Sequence, residues 1–283
     1  MTTHQRNFPS IDPTKLQRLA ETAVKVGLRL QSGQDLFLTA PVAALPLARA
    51  IVAEAYKAGA GLVTPILADE EIALARFRFA PDLSFDRAPG WLYDGVARAF
   101  GANTARLAIV GEDPMLLANE DPAKVARANK ANSIAYQPAL EKIAGFDINW
   151  NLVAYPTDSW AKRVFPGDED DVAVGRLADA IFSASRVDND NPVAAWTAHN
   201  AALGRRTEWL NARKFHALHY SGPGTDLTIG LADGHEWQGA RQRRRTELPA
   251  IRTSRPRRCS RPRMRAGSTA MSSAPSRSLI KAR

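Results

Sequence analysis

The sequence is poor in cysteine, in long apolar runs and in the short motifs that announce nucleotide chemistry. Its one cysteine, Cys259, leaves no internal disulfide possible, which fits a reducing compartment such as the cytoplasm. No stretch of eighteen apolar residues occurs, so no membrane-spanning helix is expected. The opening MTTHQRNFPS has no apolar centre and does not read as a secretory signal. Gly33, Gly59, Gly61 and Gly111 form neither G-x-G-x-x-G nor G-x-x-x-x-G-K, so nucleotide binding would rest on fold analogy alone. Ser221 is followed by glycine but lacks the preceding G-x, so no nucleophile elbow is visible.

What is present allows a sizeable core. The chain has 283 residues, 45% of them hydrophobic, enough for one large or two ordinary domains. The formal net charge of +9 averages two different compositions. Of the 38 Lys and Arg residues, 14 lie in 241–283, where Glu247 is the lone acid; the first 240 residues hold 24 basic and 28 acidic side chains. The body is therefore mildly acidic and the last stretch strongly basic.

Along the body, helical and strand patterns alternate. Residues 12–30 carry Leu16, Leu19, Ala20, Ala23, Val24 and Gly27 at helical spacing behind Asp12-Pro13, a good N-cap and first-turn pair. DLFLT at 35–39 reads as a strand, 42–58 as a helix stopped by Gly59 and Gly61, and LVTPIL at 62–67 as a strand. A helix over 69–77, a loop over 81–89, a helix over 91–100 and a strand over 106–111 follow. A long helix at 122–142 and a strand at 148–155 complete the pattern. Strands separated by helices of this length predict a parallel sheet covered on both faces. Beyond Thr157 the spacing predicts helices over 168–183 and 192–212. Strands at 215–220 and 226–231 flank a Ser221-Gly222-Pro223-Gly224 turn. From Arg241 the periodicity stops, and runs such as RQRRR and SRPRRCSRPRMR have too little apolar surface to offset chain ordering, so disorder is expected.

The expected organisation is a flexible 1–11, an α/β domain at 12–156, a β-containing second region at 157–239 and a disordered basic tail at 240–283.

Three clusters invite a chemical reading. Asp233-Gly234-His235-Glu236-Trp237 resembles the start of the zinc motif H-E-x-x-H, but the second histidine would fall at Gly239. A turn after a strand is the expected structure there. His216 and His219 lie three apart, which in a strand places them on opposite faces, so they are not expected to share an ion. Asp168, Glu169, Asp170 and Asp171 follow Pro166-Gly167 and suit a helix N-terminus, where the dipole favours acids.

Longer segments carry a family resemblance. ALEKIAGFDINWNLVAYPTDSWA at 139–161, with Trp150, Pro156 and Trp160, and LHYSGPGTDLTIGLADGHEWQG at 218–239 resemble the aminopeptidase T, AmpS and PepS group of metallo-aminopeptidases. LQSGQDLFLTAPVAALPLARAIVAEAYKAGAGLV at 30–63 resembles that group's first α/β unit. The combination of W-x-x-x-x-Y-P and T-D-L-x-x-x-L carries most of the specificity, and the resemblance covers residues 12–239.

The resemblance implies an N-terminal α/β domain at 12–156 and, at 157–239, the incomplete start of an α+β catalytic domain that releases N-terminal residues from peptides. It implies two divalent ions, zinc or cobalt, held by glutamate, histidine, tyrosine and aspartate, which lower the pKa of a bridging water and polarise the scissile carbonyl. It implies homodimers. The family continues after the equivalent of Gly239 with a segment like NPNIPTEEVFTAPH, bearing the first ligand glutamate, and none of its ligand strings occurs here. No ligand transfers to a numbered residue, so catalytic and metal-binding positions are expected to be none, and this chain is expected to bind no metal pair and to be inactive. One permitted codon set for residues 255–270, read two bases later, spells TEEVFTAPHARRVDG, which points to a reading-frame shift close to Gly239. The rival expectation is an α/β binding protein whose basic arm takes nucleic acid, against a tail that touches polyanions only non-specifically.

Overall fold

In the computed structural model, residues 11–239 are described throughout. Beyond them only the backbone of 241–243, 249–251 and 279–282 is described. Most of 240–283, where disorder is expected, lies outside the described residues, and the described parts at 241–243, 249–251 and 279–282 are strand instead.

Helix α1 (Pro13–Thr22) starts where the sequence places it, with the Asp12 carboxylate accepting the Thr14 and Lys15 N–H groups at 2.7 and 3.2 Å. It does not run on as α-helix to residue 30. At Ala23–Leu28 it widens to a π-helix, and Arg29 ends it in the left-handed region at φ 50°. Strand β1 (Leu36–Pro41) and helix α2 (Leu45–Lys57) follow, the latter entered through a 3-10 turn at Val42–Ala44. Then come β2 (Val63–Ala68), α3 (Glu70–Phe79), α4 (Gly90–Gly101), β3 (Ala105–Val110), α5 (Pro122–Ala144) and β4 (Trp150–Ala154). The expected loop at 81–89 contains a 3-10 turn at Asp82–Asp86, held by Arg127 from α5 against both Asp82 and Asp86.

The four strands pair in parallel in the order β2-β1-β3-β4. Strand alternation sends Leu36, Leu38 and Ala40 of β1, with Leu107 and Ile109 of β3, into one apolar cluster with α1, the π-helix and α2. Phe37 points the other way, onto Val96 and Phe100 of α4 and Ala139 and Ile143 of α5. The doubly covered parallel sheet expected from the alternation is thus formed.

Past Pro156 come a short helix that the periodicity did not reveal, α6 (Asp158–Val164), then α7 (Asp170–Ala184) and α8 (Pro192–Arg213). Ala161 of α6 and Ala173, Val174, Leu177, Ala178, Ile181 and Phe182 of α7 are buried in the first cluster, so that core runs across residue 156. Strands β5 (Ala217–Gly222) and β6 (Thr225–Gly230) form the expected hairpin. Pro223-Gly224 makes its turn, with Gly224 at φ 72°, a conformation open to glycine.

Strands β7 (Arg241–Arg243) and β8 (Pro249–Ile251) pair with each other, and β9 (Leu279–Ala282) pairs antiparallel with β5. By internal packing the chain divides into Met1–Ala198 with Arg241–Thr253, and His199–Ala240 with Ser254–Arg283. Among the described residues no helix is long and apolar enough to cross a membrane.

Candidate functional site

A cleft lies within the second unit. It has a volume of about 510 Å³ and lies between the end of α8, the start of β5 and the turn after β6. Its apolar lining is Leu210, Phe215 and Leu231, and its polar lining includes Lys214, His216, Asp233, His235 and Glu236.

The turn that closes it is locally satisfied, as the sequence suggested. Gly234 sits at φ 69°, and both the backbone N–H and the Nδ1 of His235 lie on the Ala232 carbonyl at 3.1 and 3.0 Å. The His235 ring stands edge-on to Trp237 at 5.8 Å. No helix forms here, so the H-E-x-x-H geometry is absent. The following backbone is then tied to α8: Asn211 accepts the Trp237 N–H at 2.7 Å and donates to the Trp237 carbonyl at 3.0 Å. Gly239 passes so close that a Cβ there would lie 2.6 Å from Thr207 Oγ1. Sequence reasoning missed this clamp, because an asparagine inside a helix gives no signal of a partner 26 residues on.

The two candidate histidines are separated. His216 lines the cleft. His219 sits on the hairpin, its Nδ1 2.9 Å from Thr228 Oγ1 and its Nε2 3.5 Å from Asp226. The acidic run 168–171 begins α7 as expected, with Glu169 at the N-cap and Asp170 and Asp171 in the first turn. Two of its acids form ion pairs: Asp168 with Arg176 at 2.5 Å and Asp170 with Lys162 at 3.1 Å. The Asp170 and Asp158 carboxylates raise the Lys162 pKa. Ser221 lies exposed in β5, opposite Asp226.

In open parallel sheets, ligands sit beyond the carboxyl ends of the strands, where the strand order reverses. Here that place lies between β1 and β3. The carboxyl ends of β2, β3 and β4 lead into segments joined by their own side chains. Glu70 accepts the Asp113 N–H at 2.7 Å and faces the Ser159 hydroxyl at 3.5 Å, and the Thr157 hydroxyl donates to the Gly111 carbonyl. Burial works to raise the Asp113 carboxyl, but the Met115 N–H and the Arg163 guanidinium outweigh it and hold its pKa below the usual range. Burial raises the Tyr155 phenol. Gly111 is glycine for packing, since a Cβ would lie 2.4 Å from the Tyr155 carbonyl oxygen. Gly33 and Gly59 serve turns at the opposite edge, where the Gly33 N–H donates to the Gly59 carbonyl at 2.7 Å.

A metal pair needs several convergent carboxylates and imidazoles. Among the described residues no group of three or more His, Cys, Asp or Glu side chains could hold an ion. The described residues therefore do not fit a two-metal centre.

Residues 12–251 match the thermophilic metalloprotease (M29) family. The chain is 51% identical to Aminopeptidase T of Thermus thermophilus over 224 residues, covering 79% of this chain and 55% of that protein. It is 37% identical to Aminopeptidase 2 of Geobacillus stearothermophilus over 225 residues, covering 80% of this chain and 54% of the relative. The solved structure of wild-type AmpT from Thermus thermophilus superposes with a TM-score of 0.78 at 47% identity, covering 84% of this chain and 59% of that one. The chain thus spans about half the length of the curated relatives it matches. With the expected α/β architecture in place and the family match running from the Asp12 helix cap through the β5–β6 hairpin, the chain belongs to the thermophilic metalloprotease (M29) family.

Proposed function

We propose that this chain is the N-terminal α/β part and the start of the catalytic region of a metal-dependent aminopeptidase, and that alone it does not hydrolyse peptides. The observation that carries the reading is the family match over residues 12–251 in a chain that spans 55% of Aminopeptidase T. On this reading residues 12–156 supply the N-terminal α/β domain and 157–239 begin the catalytic one, with α6 and α7 packed onto the core of the first. The paired zinc or cobalt ions, the peptide substrate, the homodimer contacts and the cytoplasmic setting belong to that whole enzyme.

A reading-frame shift close to Gly239 accounts for the basic stretch beyond it. It explains why the charge jumps and the apolar period stops at the same place. The relatives named above are aminopeptidases, so an arm evolved for nucleic acid gains no support from them. On this reading the arginines bind polyanions weakly and with a steep salt dependence.

The test has two arms. The purified chain is assayed for release of an N-terminal residue from an aminoacyl chromogenic substrate with added zinc or cobalt, and its metal content is measured after dialysis. Turnover, or two retained ions per chain, overturns the proposed inactivity. The gene is then resequenced across the codons for residues 237–245. A base change that restores a segment like NPNIPTEEVFT supports the frame shift, and an unaltered sequence rejects it.

A further inference from the structure

Helix α3 buries little of itself. Of its ten residues only Leu74 is buried, while Ile72 is 74% and Phe79 82% exposed. Ile72, Ala75 and Phe79 recur at helical spacing and form one exposed stripe. Charges of opposite sign stand at its two ends: Glu71 in the first turn and Arg78 in the last, both exposed. Arg78 Nε lies 3.7 Å from Glu120, and half of its side chain stays open to solvent. The neighbouring sheet edge, in contrast, is closed to a partner. The Leu36 N–H donates to the Leu62 carbonyl at 2.8 Å. The parallel ladder therefore turns the N–H groups of Thr64, Ile66 and Ala68 toward β1, and positions 63, 65 and 67 outward. The outward N–H of Val63 donates to the Tyr56 hydroxyl at 3.2 Å, and Pro65 has none to offer. Addition of a strand to β2 is thus blocked in the middle of the edge.

We propose that the exposed stripe of α3 is a contact surface between two copies of this chain, which meet antiparallel across Ala75. The occupant follows from the order of the side chains along the helix. A two-fold axis at Ala75 sets Ile72 against the partner's Phe79 and Glu71 against the partner's Arg78, and repeats both pairs on the far side. Ala75 carries only a methyl group, so the helices can approach closely where they cross. Each acidic first turn then lies beside the basic last turn of the other copy, which also suits the two helix dipoles. A parallel pairing would set Glu71 on Glu71 and Arg78 on Arg78. A face for an unrelated protein has no need to be its own complement. One helix of ten residues is a small contact, so the dimer is weak and reversible. The proposal places on this chain a contact between copies that the family reading leaves to the whole enzyme, and it stands without that reading.

The experiment is a charge swap read by mass. The full chain is sized by sedimentation at concentrations reaching about 100 µM. A reversible equilibrium between monomer and dimer is expected. Glu71→Arg and Arg78→Glu each bring like charges together twice, and each should raise the dissociation constant about tenfold. An equimolar mixture of the two variants puts opposite charges together again at both places and should dimerise as the parent does. All of these side chains are exposed, so circular dichroism and melting point should match the parent's. If a charge reversal disturbs the fold, Ala75→Lys at the axis takes its place and should abolish the dimer. A chain that stays monomeric throughout overturns the proposal. So does a dimer that these substitutions leave intact, or one that the mixture fails to restore. Sizing needs neither metal nor turnover, so its failure is distinct from any result of the activity assay.

Discussion

Gly27 and Asn151 occupy each other's space. A Cβ on Gly27 would lie 2.1 Å from Asn151 Nδ2, and that same amide donates to the Ala23 carbonyl at 3.2 Å. The π-helix at Ala23–Leu28 is the segment whose first carbonyl this bond engages. Asn151 is 1% exposed and cannot swing into solvent. Gly27→Ala should therefore cost about 1–3 kcal/mol by overpacking. In Gly27→Ala with Asn151→Ala the added methyl should cost less than in the parent, and urea melts of the cycle would show the coupling. Additive effects would mean that the contact does not restrict the glycine.

Gln34 and Asn149 exchange amide hydrogen bonds at 2.8 and 3.0 Å, and Asn149 also donates to the Leu28 carbonyl at 3.0 Å. Both side chains are buried. Gln34→Ala strands part of the Asn149 amide away from water and should destabilise the chain by about 1–3 kcal/mol. A melting temperature equal to the parent's would show that water or another group replaces the pair.

Arg127 grips Asp82 and Asp86 at 2.9 and 2.5 Å. The guanidinium lowers the Asp86 pKa from its ordinary 3.8. A carboxylate depressed in the folded state binds fewer protons there than in the unfolded chain, so it stabilises above the unfolded pKa and loses that contribution as pH falls through the folded one. Stability should thus decline as pH drops below about 4, and the decline should be shallower in Arg127→Ala. Parallel acid-titration curves for the two proteins would exclude the linkage.

Asn211→Ala removes both partners of the Trp237 peptide group. The Trp237 amide should then exchange with deuterium faster, with a loss of about 0.5–1.5 kcal/mol for each bond. The amides of β1 and β3, in the other packing unit, should keep their protection. An unchanged Trp237 rate would show that the clamp does not hold the segment in solution.

The sequence alone determined the order of most helices and strands up to residue 231, because caps and periods are local. Asp12-Pro13 opens α1, the Asp69 carboxylate accepts the Ile72 N–H at the start of α3, and Pro223-Gly224 turns the hairpin. It also carried the family, whose motifs are contiguous strings around Trp150 and Thr225. What tertiary structure decided was where one segment depends on another far away. The π-helix answers to Asn151, 128 residues from the carbonyl it caps. Helix α6 is too short for its period to register, yet Ala161 is fully buried. Glu70 meets Asp113 and Ser159 only because parallel strands bring three segments to one edge of the sheet. The hairpin shows the same division. Its alternation announces a buried face, and only the packing decides how far each side chain on it is covered, Leu227 staying exposed, because burial is a property of neighbours rather than of a pattern.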